Sequence, residues 1–528
     1  MAMLDKMEVP LLLKHLRTST VPAHSIWTVI ASLSCTLLGF LIYRAYLHPL
    51  ANIPGPFAAK LSGSWRNTRY WRGTWHDDIV EVHKKYGPVV RIAPNEVSVV
   101  DQQAMKLLYG HGFNAVKTEW YATWDPPIGA PAFFAVRDKK LHSFLRKRVS
   151  GAYTMSSILR YEPLIQECLN LLLRRLKKYA ALGRPVNMSD WTNAFAFDVV
   201  GQLAYGSPLG HLETESDVMD LRKNIFNLFF LSANMGHYVG QMRNLTNPFT
   251  QRVVALFGAR NPIAEFQEWS EAQVRARADA LEKEDGKGES RSDMLEHFLN
   301  MKDAEGNRVR FEEVLSEALN LVGAGADTTS IAIRACIQAI CSRKAVYKRL
   351  QAEIDEYYDK SELTEPITYL QCQTLPYLIA VTREAMRLLP SITYQLLRHA
   401  PDAGLTVDGK YIPPGTHVGM SPIAQNRDQK VWGDDAEEFR PERWLESEAK
   451  SRYLESNNMT FGGSGPRMCV GRNIALVEVH KSIAQLMRHF DMEIVNEEKP
   501  WHITSYWFAY QHDFMVQLKF RDEHPLLA

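Results

Sequence analysis

Cysteine is scarce in this sequence. There are six in 528 residues, at positions 35, 168, 336, 341, 372 and 469, and no two are spaced as Cys-x-x-Cys. The closest pair, Cys336 and Cys341, has no histidine cluster beside it. That argues against a zinc site or a disulfide framework and makes a reducing compartment the default. Charge of one sign is also missing. A formal net charge of +1 gives no support to bulk nucleic-acid binding. The chain has no internal repeat, no low-complexity tract, and neither a Rossmann-type glycine fingerprint nor a flavin domain. A redox enzyme built on it would therefore take its electrons from another protein. What remains is an ordinary globular composition, 46% hydrophobic and 23% charged, with enough chain for a large core. Length alone suggests about three domains, a prior that large single-cofactor enzymes often break.

One long apolar run is present, Ile26 to Tyr43, without a charge and followed by Arg44. As a helix it would reach about 27 Å, close to the core thickness of an endoplasmic-reticulum bilayer. It is long for a secretory signal, begins late and lacks a small-residue cleavage site, so a membrane anchor is expected ahead of a signal peptide or a buried helix. Lys6, Lys14 and Arg17 before the span balance Arg44, Lys60 and Arg66 after it, and leave its orientation open. Pro49, Pro54, Gly55 and Pro56 then predict a stiff, non-helical connector.

The most informative stretch is Phe461-Gly462-Gly463-Ser464-Gly465-Pro466-Arg467-Met468-Cys469-Val470-Gly471. It delivers one cysteine to the start of a predicted helix, Arg472 to His489. Glycines let the backbone turn tightly and approach a bulky ligand. A helix N-terminus and nearby N–H groups stabilise an anionic sulfur, so the thiol pKa is expected to fall. Arg467 offers a forked cation suited to a carboxylate. Thiolate and arginine together suit an iron porphyrin, whose iron takes the sulfur axially and whose propionates need a cation. An isolated Cys-x-Gly is more often a buried free cysteine; Gly465, Arg467 and Gly471 at fixed offsets tip the reading to a haem ligand.

Phe311 to Arg343 is the longest helical pattern, interrupted at Gly323-Ala324-Gly325-Ala326-Asp327-Thr328-Thr329. Glycines and paired threonines weaken a helix. A threonine hydroxyl bonded to the carbonyl four residues back bends it and opens a groove. His142 and Arg146 share a face of a basic helix, Lys139 to Arg148. Trp75–Tyr86, Phe195–Leu203 and Val218–Leu256 also read as helices. Val89–Ile92 with Glu96–Val100, and Leu405–Ile412 around Asp408-Gly409, read as hairpins. Strands are expected around Trp501–Phe508 and Phe514–Phe520, and an exposed loop over Glu282–Arg291. Phe113 to Phe134 carries Trp120, Tyr121, Trp124, Pro126, Pro127, Phe133 and Phe134, which suits ordinary packing as well as a binding wall.

The cysteine loop resembles the haem-binding loop of the cytochrome P-450 family, F-x-x-G-x-R-x-C-x-G, with Gly465, Arg467, Cys469 and Gly471 in register. Phe461 departs from that pattern by lying eight residues before the cysteine where the family has seven, so one extra loop residue is expected. Four more family motifs follow in order. His142 and Arg146 are similar to W-x-x-x-R, with histidine for tryptophan; Ala324, Gly325, Asp327 and Thr328 match A-G-x-D-T; Glu384 and Arg387 match E-x-x-R; Phe439 to Trp444 resembles the Pro-Glu-Arg loop. The resemblance implies a mainly α fold with small β-sheets (α+β) over residues 58–528, behind a tail (1–25), an anchor (26–43) and a linker (44–57). It implies haem, iron protoporphyrin IX, with the Cys469 thiolate on iron and Arg467, Arg398, His142 and Arg146 on the propionates. Phe461, Gly465 and Gly471 would shape the loop, and Ala324 and Gly325 would leave room above the iron. Thr328 would meet dioxygen while Asp327 feeds protons from solvent. Glu384, Arg387 and Arg443 would form a buried structural charge cluster. The aromatic stretch would cap the substrate pocket, with Ile392–Leu396 and Tyr506, Trp507 or Phe508 near it.

Phrases such as YGPVVRIAPNEVSVVD and GRNIALVEVHK look like fungal microsomal members acting in secondary metabolism or detoxification. The implied function is a membrane-anchored haem-thiolate monooxygenase that inserts one oxygen atom from dioxygen into a lipophilic small molecule. The partner would be an NADPH-cytochrome P-450 reductase, docking near the thiolate side on Lys139, Lys140, Lys147, Arg148, Arg472 and Lys481. The catalytic body would face the cytoplasm from the endoplasmic reticulum membrane, leaving the sequons at Asn187, Asn244 and Asn458 unmodified; no nucleic acid is expected. Two other readings stay open. One is a haem-thiolate isomerase or dehydratase that uses no dioxygen, against which the presence of both Asp327 and Thr328 argues. The other is a membrane-tethered haem sensor, which turnover dependent on a redox partner would exclude.

Overall fold

The computed structural model describes residues 23–112, 115–125, 130–238, 240, 247–250, 252, 263–283, 293–360 and 364–521. Most of the amino-terminal tail, Pro126, Pro127, Asn244, most of the segment after Gly236 and most of the Glu282–Arg291 loop lie outside them.

The apolar run forms the helix Ala23–Ile42 and continues as a π-helical turn, Tyr43–Leu47, past the expected boundary. Its large side chains face outward, with Trp27 69%, Leu33 65% and Leu37 58% exposed. An apolar helix of this length, almost none of it buried against the described residues, fits a membrane anchor. Two arginines tie its end to the globular body. Arg44 donates to the Leu61 carbonyl at 2.7 Å, and the buried Arg91 donates to the Arg44 carbonyl at 3.0 Å.

The body is mainly helical with small sheets. The 31-residue helix Phe311–Cys341 runs through it and packs along Met188–Tyr205, Pro376–Leu388 and Arg472–His489. It stays helical through Gly323–Thr329, where the sequence predicts an interruption. Thr328 Oγ1 does donate to the Ala324 carbonyl at 2.9 Å. Close packing keeps the ladder whole: a Cβ on Gly325 would meet Val200 Cγ1 at 2.8 Å. Apolar side chains from these helices and from Met155–Ala181 make the largest core, with Phe195, Phe197 and Phe298 fully buried. Each such side chain stabilises the fold by roughly 1.5–3 kcal/mol.

Four strands form the main sheet in the order Val89–Ala93, Glu96–Val99, His417–Gly419, Arg398–His399. The Asp-Gly hairpin is Leu405–Val407 with Lys410–Ile412; both turn residues take positive φ, as a two-residue turn between twisted strands requires. Near the carboxy terminus the expected long strand is two: His502–Tyr506 turns at Trp507 (φ 77°) into Phe508–His512. Met515–Phe520 pairs separately with Phe490–Ile494. In the Val218–Leu256 region the structure shows one helix of any length, Leu221–Met235, among the described residues.

Candidate functional site

The cysteine loop is held from two sides. Gly462 and Gly463 both adopt positive φ (80° and 86°) and so absorb the extra residue. Phe461 thereby stays beside the cysteine, its carbonyl accepting the Cys469 N–H at 2.9 Å. Gly465 lies against the Tyr109 carbonyl so closely that a Cβ there would overlap it at 1.6 Å. Gly471 caps the helix Arg472–His489, and the N–H groups of Gly471 and Arg472 point at the Cys469 sulfur. Burial nevertheless outweighs them, together with the Arg146 and Arg472 charges, and pushes the thiol pKa up. This corrects the expectation of a lowered value: without a metal, the enclosed sulfur is kept as a thiol. Metal coordination would deprotonate it outright.

Although enclosed, Cys469 exposes surface, and so does Ala324 in the middle of the central helix, flanked by the buried Val322 and Ala326. Thr328, one turn on, is half-buried, and its carbonyl accepts from Ser391 at 2.7 Å. An opening therefore reaches the middle of the molecule. Tyr153 lies within electrostatic reach of both Glu317 of the central helix and Cys469. Aromatic rings gather on the helix side. A Cβ on Gly323 would touch Phe229 at 3.4 Å, and Trp124 lies 5.2 Å from Phe229, 5.7 Å from Trp507 and 6.0 Å from Phe134 (ring centroids).

The predicted propionate residues converge, and one joins them that sequence reasoning missed. His142, Arg146, Arg398 and Arg467 all act on the buried ammonium of Lys117 or on one another through space. Lys117 forms a β-bridge with Arg398, donates to the Phe134 carbonyl, and sits 4.0 Å above the Tyr121 ring and 4.2 Å from that of Phe134. Burial first, then the surrounding cations, holds Lys117 well below an ordinary lysine and His142 down at about 3. Among the described residues none of the five pairs with a carboxylate within 4 Å. The Nε atoms of Arg398 and Arg467 are buried without a partner, although their terminal nitrogens hold Leu397, Val136 and Arg137 carbonyls. Crowded buried cations with orphaned donors call for an anion. A bis-carboxylate porphyrin whose iron meets Cys469 fits this donor set. The sequence signal for Lys117 is a single lysine inside the aromatic stretch, three residues before Trp120.

Asp327 is placed differently from expectation. It is buried, and its two oxygens accept from Asn193 Nδ2 at 2.8 Å and Tyr510 Oη at 3.0 Å, so it faces a buried network and not solvent. Burial raises its pKa against those two hydrogen bonds and the Arg334 charge. Asn193 and Tyr510 carry no sequence signal of their own; only tertiary packing brings them there.

Glu384 accepts from Arg387 at 2.8 and 2.9 Å, Arg443 at 2.9 Å and Trp444 Nε1 at 2.9 Å, all buried. Arg387 also donates to the Asn426 carbonyl at 2.6 Å. Asn426 in turn accepts from the Met459 N–H at 2.8 Å, just ahead of the cysteine loop. The expected docking face is smaller than predicted. Lys481 is buried against Glu162, Arg148 pairs with Glu313 at 2.9 Å and Arg472 with Glu455 at 2.6 Å, which leaves Lys139, Lys140 and Lys147 as its exposed members.

Comparison with known proteins agrees with this geometry. The family model described as Cytochrome P450 matches residues 53–518. The chain is 34% identical to the cytochrome P450 monooxygenase gsfF of Penicillium aethiopicum, over 92% of this chain and 96% of that one. It is 32% identical to the cytochrome P450 monooxygenase cicH of Emericella nidulans, over 90% and 94%. It is 30% identical to a pisatin demethylase of Fusarium vanettenii, over 89% and 90%. With a cysteine loop, a small-residue segment in the central helix and a cluster of cations all present, and relatives matching almost end to end, the chain belongs to the cytochrome P450 family, among its monooxygenases.

Proposed function

We propose that this enzyme inserts one oxygen atom from dioxygen into a lipophilic small molecule of fungal secondary metabolism, using electrons from an NADPH-dependent cytochrome P450 reductase. The observation that carries the reading is the surface exposed by Cys469 and, on the central helix, by Ala324 and Thr328, together with Lys117, Arg146, Arg398 and Arg467 crowded around His142 with no carboxylate within 4 Å among the described residues. Haem would be held by Cys469 on the iron and by Lys117, His142, Arg146, Arg398 and Arg467 at its carboxylates. When bound, it supplies the chemistry of dioxygen activation. The protein's own residues do the rest. Asp327, in contact with Tyr510 and Asn193, holds a proton behind the groove, and Thr328 presents a hydroxyl on its surface. The Phe461 carbonyl holds the Cys469 N–H, and Phe229, Trp124, Phe134 and Trp507 exclude water and favour an apolar, ring-bearing substrate. The name of the pisatin demethylase likewise points to oxidative work on a small organic molecule.

On this reading the apolar helix would anchor the catalytic body to the endoplasmic reticulum membrane, facing the cytoplasm. Unmodified asparagines in the sequons at Asn187 and Asn458 after expression in a eukaryote would fit that orientation; glycans there would reverse it. The central test is the reduced, carbon-monoxide-bound spectrum. A red-displaced Soret band that disappears in Cys469→Ser is expected, followed by NADPH- and dioxygen-dependent product when microsomes carrying a reductase meet terpenoid, polyketide and indole panels. A Soret band unchanged by that substitution overturns the reading.

A further inference from the structure

Away from the opening, a surface cluster has the make-up of a second metal site. Glu119, His399 and His417 bring one carboxylate and two imidazoles together, with ligand atoms all within 4.8 Å of one another. The backbone places them. His399 and His417 are directly opposite in the antiparallel pair Arg398–His399/His417–Gly419. Neither donates to the other: the His399 N–H goes to Val116 O at 2.8 Å and the His417 N–H to Asn95 O at 3.1 Å. Opposed residues of that kind form the narrow pair of an antiparallel ladder, where side chains come closest; the two rings lie 5.1 Å apart. Glu119 starts the short helix Glu119–Trp124, two residues after the bridge from Lys117 to Arg398. Its two oxygens lie 3.3 Å from His399 Nε2 and 3.7 Å from His417 Nε2. Bonds of about 2.0–2.1 Å to a tetrahedral zinc ion put ligand atoms roughly 3.4 Å apart; the His399 distance, to Oε1, matches such an edge, and the His417 distance, to Oε2, is close to one.

We propose that Glu119, His399 and His417 bind a divalent cation of the zinc class, with a fourth position open to solvent. The scarcity of cysteine argues only against a thiolate site; this one uses nitrogen and oxygen. Arg137 competes for the carboxylate. Arg137 donates to Glu119 Oε1 at 2.8 Å, but both side chains are about half exposed (43% and 54%), and an exposed pair of that kind is weak. The bound ion would fasten the helix carrying Trp120 and Tyr121 to the strand carrying Arg398.

The test uses the full-length, haem-loaded chain without a polyhistidine tag, stripped with a chelator and titrated with zinc chloride against a chromophoric competitor. Iron and zinc are counted separately by mass spectrometry, so the outcome does not depend on the haem assignment. One zinc per chain is expected, with affinity lowered more than roughly tenfold in His399→Gln and in His417→Gln. Both histidines are part-exposed, and the Soret spectrum and melting temperature report whether each variant stays folded. Arg137→Ala should tighten binding by releasing the carboxylate. A wild-type chain that retains no zinc, or equal affinity in folded wild type and both histidine variants, overturns the proposal. So does weaker binding in Arg137→Ala.

Discussion

Lys117→Met separates the haem-free from the haem-bound protein by sign. The substitution removes one buried ammonium and keeps most of the stem volume. Without haem, Lys117 is pressed by burial and by Arg398, Arg467 and Arg146, so its folded pKa lies well below its unfolded one. A base lowered in this way destabilises the fold at neutral pH, and the cost fades only as pH rises toward the unfolded lysine value. Methionine removes that cost, and the haem-free protein should melt at a higher temperature than wild type. With haem, the ammonium should donate to a carboxylate in a charge-assisted bond worth about 1.5–3 kcal/mol. Its loss corresponds to roughly ten- to hundredfold weaker haem retention. Calorimetry of both forms and the rate of haem transfer to an acceptor globin measure the two effects. A lowered melting temperature of the haem-free variant together with an unchanged transfer rate would refute the cradle assignment and make Lys117 a packing residue.

Three further outcomes are expected. Both Glu317 oxygens are buried without partners, and burial raises the carboxyl from 4.5 to about 8, with smaller opposing effects of Arg148 and Glu313. Stability should therefore decline as pH rises across that interval, and Glu317→Gln should abolish the decline, with a gain of up to about 5 kcal/mol at its alkaline end; parallel melting curves of the two proteins between pH 5 and 8 would contradict this. Glu384→Gln leaves Arg387 buried without its anion and Arg443 with Asp435 alone, and should cost about 3–5 kcal/mol, seen in denaturant unfolding and in lost haem content. Tyr510→Phe removes one hydrogen bond from Asp327 and should raise hydrogen peroxide released per NADPH several-fold with the Soret band unchanged; a similar rise in Tyr205→Phe, far from Asp327 in a separate hydrogen bond to Ser270, would show the effect to be non-specific.

What could be read from sequence was whatever a few adjacent residues decide together. The helices Trp75–Tyr86 and Arg472–His489 begin and end where the sequence places them, because apolar spacing and a following or preceding glycine mark their ends. The Asp408-Gly409 turn was legible for the same reason. Cys469, Arg467 and Gly465 share one loop whose spacing is itself the signal. Legibility failed where distant chain decides. The central helix stays intact because Val200 packs on Gly325, a contact no local pattern encodes. Asp327 is turned inward by Asn193 and Tyr510, 134 and 183 residues away. Lys481 looks like a solvated cation until Glu162 is seen beside it. The turn at Trp507 requires positive φ in a non-glycine residue, which a propensity argument disfavours.

The two surprises at the site, a raised thiol pKa and a crowd of unpaired cations, have one cause. Each is the cost of shaping an apolar enclosure around a ligand that itself carries charge. At the centre, Cys469 is too enclosed to ionise by itself, yet Gly471 and Arg472 already aim N–H groups at its sulfur. At the rim, Lys117, Arg398 and Arg467 repel one another while two guanidinium Nε atoms stay unused. A ligand with a Lewis-acidic metal at its centre and carboxylates at its edge relieves both strains at once; neither a neutral apolar molecule nor a simple anion can. Haem binding should therefore stabilise this fold by more than its buried apolar area accounts for. That excess should shrink in Cys469→Ser and in Lys117→Met by separate, additive amounts, because the two groups meet opposite parts of the same ligand.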